Sequence, residues 1–394
     1  MKKIIGMIAI LLFMLSSMLV YADTIKDQNS TNNGGKIVTA NQYLYPGEKI
    51  IKADGYPALV KFIKGNPNKP LIIFIPGYAS LARLSYGFPG CKENDFLSYW
   101  LHKEGYSFLG ISYPVKNKVF SKVYPDFTVT EWGKQTADIA KLFVDKYKLN
   151  KHIIVAAWSM GGRIAPSINI AAKKEGLNIK LFVALSSIPP IPGFTDMSFM
   201  NGIRLTPKGL ADMAPLIPWF IKCIKIQDNI NGHIIIPSNI YKTQFMGDTP
   251  TNLMVGKGSR FINGKWTRNY NAYLSDTSAL NLKDYPLVGI IHDVGIYNLP
   301  VATQASIFNQ SNWGFIIEHN IFNLITRGNN LNKLTPAEWK KLTKTVNDAP
   351  NNMTKTIHGT HFFFVGEKGA KATAKDISIL ISKVNNYKKY SRHI

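Results

Sequence analysis

Short, wholly apolar runs alternate with amphipathic stretches along most of the chain. Five runs are long enough for a strand and carry few polar positions, which is typical of strands covered on both faces. Two earlier segments, KIIKADG (49–55) and ALVKFIKG (58–65), predict shorter strands. Buried strands alternating with helices indicate an α/β fold with a mostly parallel sheet. The five runs are LIIFIPG (71–77), YSFLGISYP (106–114), HIIVAAW (152–158), IKLFVAL (179–185) and PLVGIIHD (286–293), and helices are predicted at 95–104, 130–147, 163–175 and 375–387.

Two long excursions interrupt this alternation. One, 189–285, is rich in Pro, Gly and aromatic residues, and the other covers about 294–356. Excursions of this length inside a compact domain are usually lids or subdomains. We therefore expect a core of 46–188 and 286–394, a cap or lid at 189–285, and a second insertion within the later half of the core.

The N-terminal residues have the layout of a secretory signal peptide. Lys2 and Lys3 precede an apolar run that ends at Val20-Tyr21-Ala22, with the small residue that signal peptidase needs. The alternative is an uncleaved membrane anchor. We expect 1–22 to be removed, 23–45 to form a flexible leader, and the protein to be exported to a periplasm or to the medium.

The composition is strongly basic, with 47 Lys and Arg against 24 Asp and Glu, a net charge of +23. Without 1–22 it would be about +21, since Lys2 and Lys3 are lost. Such a field favours anionic partners, a membrane or an envelope polymer, although a merely solvated basic surface is an equal alternative. No groove-reading helix or alternation of basic and aromatic residues is visible, so no nucleic acid is expected.

Cys91 and Cys223 could form a disulfide or remain free thiols.

The stretch IIVAAWSMGGRIA (153–165) takes a predicted strand directly through Ser159 into a predicted helix. So sharp a junction needs small neighbours, and Ala157 and Gly161 satisfy that need. The stretch resembles the Gly-x-Ser-x-Gly nucleophile elbow of the α/β-hydrolase family, with Ala157 in place of the first Gly. The alternative is a serine in an ordinary strand–helix junction. Pro166 is expected to remove a hydrogen bond in the second turn of the helix and to kink it.

The resemblance implies an α/β-hydrolase fold with a catalytic Ser159 and an acid and a histidine later in the chain. Asp293, which ends a buried strand, is the expected acid, and Asp276 and Asp284 fit less well because they precede that strand. The segment Gly359-Thr360-His361 resembles the family's Gly-x-His, so His361 is the expected base. His358 is the alternative.

The resemblance also implies an oxyanion hole made of two main-chain N–H groups. One is that of Met160, which follows the nucleophile. The other is that of Tyr78 in the turn PGYAS (76–80), where Pro76 replaces the family's histidine. The alternative is a simple Pro-Gly turn.

These residues predict a serine hydrolase that acts through an acyl-enzyme, with carboxylic esters or lipids as the first choice of substrate. A thioesterase or serine peptidase of the same fold, and an inactive binding protein of this shape, are the alternatives. Trp219 and Phe220 in the cap could line an acyl pocket or form the cap's own core. No metal-ligand cluster or phosphate loop is present in the sequence, so neither a cofactor nor a metal is expected.

Overall fold

The computed structural model describes residues 42–191, 204–254, 259–294 and 302–390, apart from the side chains of 302–309 and 390. The predicted signal peptide and most of the predicted leader lie outside the described residues. Tyr43 to Ile394 form a unit of their own. Within the described ranges, no helix combines the length and the apolarity that crossing a bilayer requires.

An eight-stranded sheet has the order β1-β2-β4-β3-β5-β6-β11-β12. Strand β2 is antiparallel to both of its neighbours, and every later pairing is parallel. A mostly parallel sheet in this order, flanked by helices, is the α/β-hydrolase fold, so the predicted fold class is confirmed. The strands are β1 (Glu48–Ala53), β2 (Tyr56–Ile63), β3 (Pro70–Ile75), β4 (Phe108–Ser112), β5 (Asn150–Trp158), β6 (Asn178–Leu185), β11 (Val288–Val294) and β12 (Thr354–His358).

The helices around this sheet follow from local signals and from packing. Thr128 and Glu131 form a capping box that begins the second helix, which buries one apolar face. The last helix begins eight residues before its predicted start, because a residue distant in the chain accepts a hydrogen bond from its first turn. The N–H of Glu367 donates to Asp95 Oδ1 at 3.1 Å. These helices are α1 (Leu97–Lys103), α2 (Val129–Tyr147), α3 (Ala165–Lys174) and α9 (Glu367–Tyr390).

The kink predicted at Pro166 is wrong. Residues Ser159–Ile164 form a 3₁₀ helix, and α3 begins only at Ala165, which puts Pro166 in its first turn. N–H groups in a first turn have no intrahelical partner, so the proline removes no hydrogen bond there.

The two insertions contribute helices and small strand pairs. In its described part the first insertion adds no strand to the central sheet, whereas the second ends within β12, the edge strand of that sheet. The two cysteines are free, and Cys223 is buried, so the disulfide that the sequence left open is not formed. The insertion elements are β7 (Leu210–Ala211), α4 (Ile217–Asn231), α5 (Ser238–Ile240) with a π-helical turn at Tyr241–Phe245, β8 (Thr249–Pro250), β9 (Ser259–Ile262), β10 (Lys265–Arg268), α6 (Tyr270–Thr277), α7 (Ala302–Thr326) and α8 (Pro336–Asn352). Further 3₁₀ turns lie at Ala82–Ser85, Glu93–Asp95, Ala214–Leu216, Thr251–Leu253, Leu282–Asp284 and Leu331–Lys333.

Candidate active site

Ser159 occupies a strained backbone position at the end of β5. Its φ is +53°, in the left-handed region that non-glycine residues rarely adopt. The following chain passes so close to its neighbours that a Cβ on Gly161 would lie 3.0 Å from the Pro76 carbonyl oxygen. A Cβ on Gly162 would lie 2.5 Å from the carbonyl oxygen of Ile188. This is the geometry of a nucleophile elbow, with a serine at its apex.

His361 lies beside the elbow. The Trp158 Nε1–H donates to the main-chain oxygen of His361 at 2.8 Å, and the two rings pack with their centroids 5.0 Å apart. His361 is 4% exposed. The alternative base, His358, is exposed at the end of β12, where it pairs with Val294. Trp158, the residue before Ser159, therefore contacts His361 directly.

The imidazole of His361 is in an apolar setting. Its Nδ1 is buried and has no hydrogen-bond partner among the described residues. Burial lowers the pKa of His361 to about 3, because the charged form loses its solvation. The neutral ring can accept a proton at pH 7. Within the described residues, no hydrogen bond joins the ring to Ser159 or to Asp293.

Asp293 is fully buried near the C-terminal end of β11. Its Oδ1 accepts a hydrogen bond from Ser186 Oγ at 2.7 Å, and its N–H donates to the same hydroxyl at 3.2 Å. Ser186 follows β6, which lies between β5 and β11. Parallel strands end at one edge of a sheet, so Asp293 shares that edge with Ser159.

The two carboxylates that fit less well as the acid have structural partners elsewhere. Asp276 pairs with Arg260 at 2.9 Å and accepts the N–H groups of Val129 and Thr130 at the start of α2. Asp284 bonds to the Asn281 side chain within its own turn.

The turn that carries Tyr78 lies directly against Ser159. A Cβ on Gly77 would be 2.6 Å from the Cβ of Ser159. The turn is fixed from the cap, since the N–H of Ala79 donates to Thr249 Oγ1 at 2.9 Å. The N–H of Tyr78 has no hydrogen-bond partner among the described residues, and its phenol donates to the Asp212 carbonyl at 3.0 Å. This leaves the Tyr78 N–H available to an oxyanion.

Met160 is the second residue of the 3₁₀ helix that begins at Ser159. The first N–H groups of a helix have no partner within it. The N–H groups of Tyr78 and Met160 therefore belong to segments that touch each other at Ser159.

Helix α4 of the cap covers the histidine. The ring of Trp219, which is half-buried, lies 5.7 Å from that of His361. Phe220 is 3% exposed and packs on Phe362, so it belongs to the core. Gln227 binds both ends of the histidine loop: its Oε1 accepts the N–H of Thr360 and its Nε2 donates to the carbonyl of Val365, each at 3.0 Å.

Several of these supporting residues were not predicted. Ser186, Gln227 and Thr249 act through contacts with segments distant in the chain, and no local pattern marks them. For Ser186 one signal was available, because a small polar residue directly after a buried strand lies at the edge where such sites form. In the described residues, no group of three or more His, Cys, Asp or Glu side chains is placed to hold a metal ion.

No protein-family model and no curated protein matches the chain. Solved structures that resemble it include Est1E from Butyrivibrio proteoclasticus (14% identity, 86% of this chain and 99% of that one, TM-score 0.36). A haloalkane dehalogenase variant from Bradyrhizobium elkanii shows 14% identity over 88% of this chain and 99% of that one, with a TM-score of 0.41. A serine hydrolase from the polyaromatic hydrocarbon-degrading bacterium Cycloclasticus zankles shows 12% identity over 85% and 97%, with a TM-score of 0.42. Likenesses this distant say nothing about reaction or substrate, which must be inferred from this chain's own residues.

Proposed function

We propose that the protein is a serine hydrolase that cleaves carboxylic esters through an acyl-enzyme. The observation that carries the proposal is the serine at φ +53° whose preceding residue contacts a buried, neutral histidine. A serine hydroxyl is a weak nucleophile until a base takes its proton. His361 is the base in this proposal, and Ser159 Oγ attacks the ester carbonyl carbon.

The remaining groups take the roles that this attack requires. The N–H groups of Tyr78 and Met160 stabilise the negative oxygen of the tetrahedral intermediate. His361 then returns its proton to the departing alcohol, and a water molecule, activated by the same ring, releases the acid and regenerates Ser159. In the reacting enzyme, Asp293 accepts a hydrogen bond from Nδ1 of the ring, a contact absent from the resting structure, and stabilises the protonated form.

Esters, including lipid esters, are our first choice of substrate because an apolar wall adjoins the histidine. Trp219 borders His361, and behind it Phe220 and Phe362 pack together. A thioester would use the same groups. A peptidase would need a proton delivered to a poorer leaving group, and an inactive binding protein would need no activated serine.

The test is labelling with a fluorophosphonate, followed by intact mass and peptide mapping. We expect a single label on Ser159, none in Ser159→Ala, and turnover of short acyl esters that falls by about three orders of magnitude or more in His361→Ala. The matched control is His358→Ala, which should keep most of the activity. An unlabelled but folded protein would favour the inactive binding protein, and full activity in His361→Ala would move the base to His358.

Export and electrostatic binding to an anionic membrane or envelope surface remain proposals based on the sequence. If 1–22 is a signal peptide, protein recovered from the periplasm or the medium begins at Asp23. Recovery of the chain with Met1 intact in the membrane fraction would show an uncleaved anchor instead.

A further inference from the structure

Arg163 is a buried cation that forms no ion pair with any described residue. It lies four residues after Ser159, in the 3₁₀ helix of the elbow, and is 2% exposed. Its Nη1 donates to the carbonyl oxygen of Leu253 at 2.8 Å. No Asp or Glu lies within ion-pair distance of it in the described chain, and its Nε is buried without a hydrogen-bond partner there. Burial lowers the pKa of Arg163 to about 10, so the side chain is still charged at neutral pH.

Arg83, another buried arginine of this protein, shows how a buried guanidinium group is paired with a carboxylate. Its Nη1 also donates to a carbonyl, that of Gln244, at 2.7 Å. Its Nε and Nη2 then hold the two carboxylate oxygens of Glu48, at 2.8 and 2.6 Å. Arg163 repeats the first contact, but the edge formed by its Nε and Nη2 bonds to no described residue. That edge is the one that fits a carboxylate with two parallel hydrogen bonds.

A third buried arginine, Arg260, also has a carboxylate partner, although only through one nitrogen. Its Nη1 donates to the carbonyl of Asn252 at 3.0 Å and its Nη2 to Asp276 at 2.9 Å, while its Nε has no hydrogen-bond partner among the described residues. Burying a cation without an anion is strongly unfavourable. Among the described residues, Nε and Nη2 of Arg163 are therefore free to hold the carboxylate of a ligand.

Two segments next to the end of the elbow also contact the candidate active site. Residues Ser187 and Ile188 lie against Gly162, which precedes Arg163, and the N–H of Ile188 donates to the main-chain oxygen of Ser159 at 2.9 Å. The other contains Leu253 and begins at Thr249, which fixes the Tyr78 turn. Each segment carries a buried hydroxyl with no hydrogen-bond partner among the described residues, that of Ser187 and that of Thr251.

We propose that Arg163 is the anion-recognition residue of the substrate site, and that the preferred substrates are esters carrying a carboxylate a few bonds from the scissile carbonyl. This rests on the proposed function. Four residues of 3₁₀ helix rise about 8 Å, which is the scale of the axial distance between the main chains of Ser159 and Arg163. An acyl chain ending in a carboxylate, the half-ester of a dicarboxylic acid, has the required chemistry.

The test compares pairs of 4-nitrophenyl esters that differ only in the terminal group of the acyl chain. One pair is the hexanoate and the half-ester of hexanedioate, and the other is the pentanoate and the half-ester of pentanedioate. We expect the wild type to favour the half-ester in kcat/KM by about tenfold or more, mainly through KM. Arg163→Met should reduce that ratio about tenfold, and Arg163→Lys should keep part of it. No preference in the wild type, or an unchanged ratio in Arg163→Met, would overturn the proposal.

Two controls separate Arg163 from the net charge and from catalysis. The ratio is measured again at about 0.5 M salt, which screens surface lysines more than a buried guanidinium, and in Lys222→Met, which removes an exposed cation from α4. Ser159→Ala is then heated with hexanedioate and with hexanoate. A rise in Tm with the dicarboxylate alone supports Arg163 even if Arg163→Met fails to fold, and no rise counts against it. The failure of the proposed function is a different result, namely no label and no ester turnover.

Discussion

At the scale of single residues, the protonation of His361 governs how the proposed reaction responds to pH. Burial lowers the pKa of this ring to about 3, and only the neutral ring can act as a base. We therefore expect kcat/KM for a neutral ester to stay level from about pH 8 down to about pH 5, and to fall only below that. An acid limb near pH 6.5 would contradict the low pKa of His361 in the free enzyme.

The same pKa can be tested without turnover, through stability. The folded pKa lies below the unfolded value of about 6.5, so as the pH falls through 6.5 the unfolded chain binds a proton that the folded chain does not. Between about pH 7 and pH 5 this costs the wild type about 2 kcal/mol of unfolding free energy. Urea unfolding measures this effect. Over the same interval, His361→Gln, which lacks the imidazole, should lose about 2 kcal/mol less unfolding free energy than the wild type. Equal losses in the two proteins would contradict the low pKa.

How far a residue's role can be predicted depends on how local its cause is. Ser159 and Gly161 are predictable because a strand, a serine and a glycine in succession make the tight junction by themselves. Ser186 and Arg163 are different. The role of Ser186 depends on its hydrogen bond to the carboxylate of Asp293, more than a hundred residues away. The proposed role of Arg163 depends on the carboxylate of a substrate, because no described residue supplies one.

At the scale of elements, helix α4 fastens the cap to the histidine loop through one buried side chain. Gln227 is 1% exposed and bonds to Thr360 and Val365. Gln227→Leu keeps the volume but leaves a buried N–H and a buried carbonyl without partners, so we expect a loss of about 1–3 kcal/mol of unfolding free energy. Because the loop also carries His361, kcat should fall too. Chemical unfolding and ester kinetics measure the two effects.

The matched control for this variant lies on the same helix. Asn229 is exposed, and Asn229→Ala should change neither stability nor kcat appreciably. If Gln227→Leu lowered stability and left kcat untouched, α4 would be a structural brace with no part in positioning the base.

Elements differed in how readily the sequence predicted them. The five buried runs are strands in the structure because each is apolar enough to be covered on both faces. Strand β12, Thr354–His358, was not assigned, since its polar residues form a strand only by pairing with β11. Helix α8 is also absent from the prediction, although the sequence carries a signal for its start. Thr335 and Glu338 form a capping box, and Pro336 is the first residue of the helix.

At the scale of the whole molecule, the sheet explains why residues so far apart in sequence meet. Strands β5, β11 and β12 are parallel. Ser159 and His361 therefore follow, and Asp293 lies close to, C-terminal strand ends at one edge of the sheet. The gap from Asp293 to His361 is long because α7 and α8 are inserted between β11 and β12. The chain returns in register, with Asp293 opposite Ile357, so the insertion lengthens the chain and leaves the strand ends together.

The net charge of +23 is also a property of the whole molecule, and it predicts salt-sensitive binding to anionic surfaces. We expect the protein to sediment with vesicles containing phosphatidylglycerol at about 20 mM salt, to be released at about 300 mM, and to ignore phosphatidylcholine vesicles. Two double variants test whether the binding is spread over the surface. Lys222→Gln with Lys225→Gln removes two exposed lysines from the cap, and Lys340→Gln with Lys341→Gln removes two exposed lysines from α8. Because lysines are spread along the chain, both variants should weaken binding equally. A much larger loss for the cap pair would show oriented docking through the side that carries Trp219, and binding that ignores salt would show that charge is not its cause.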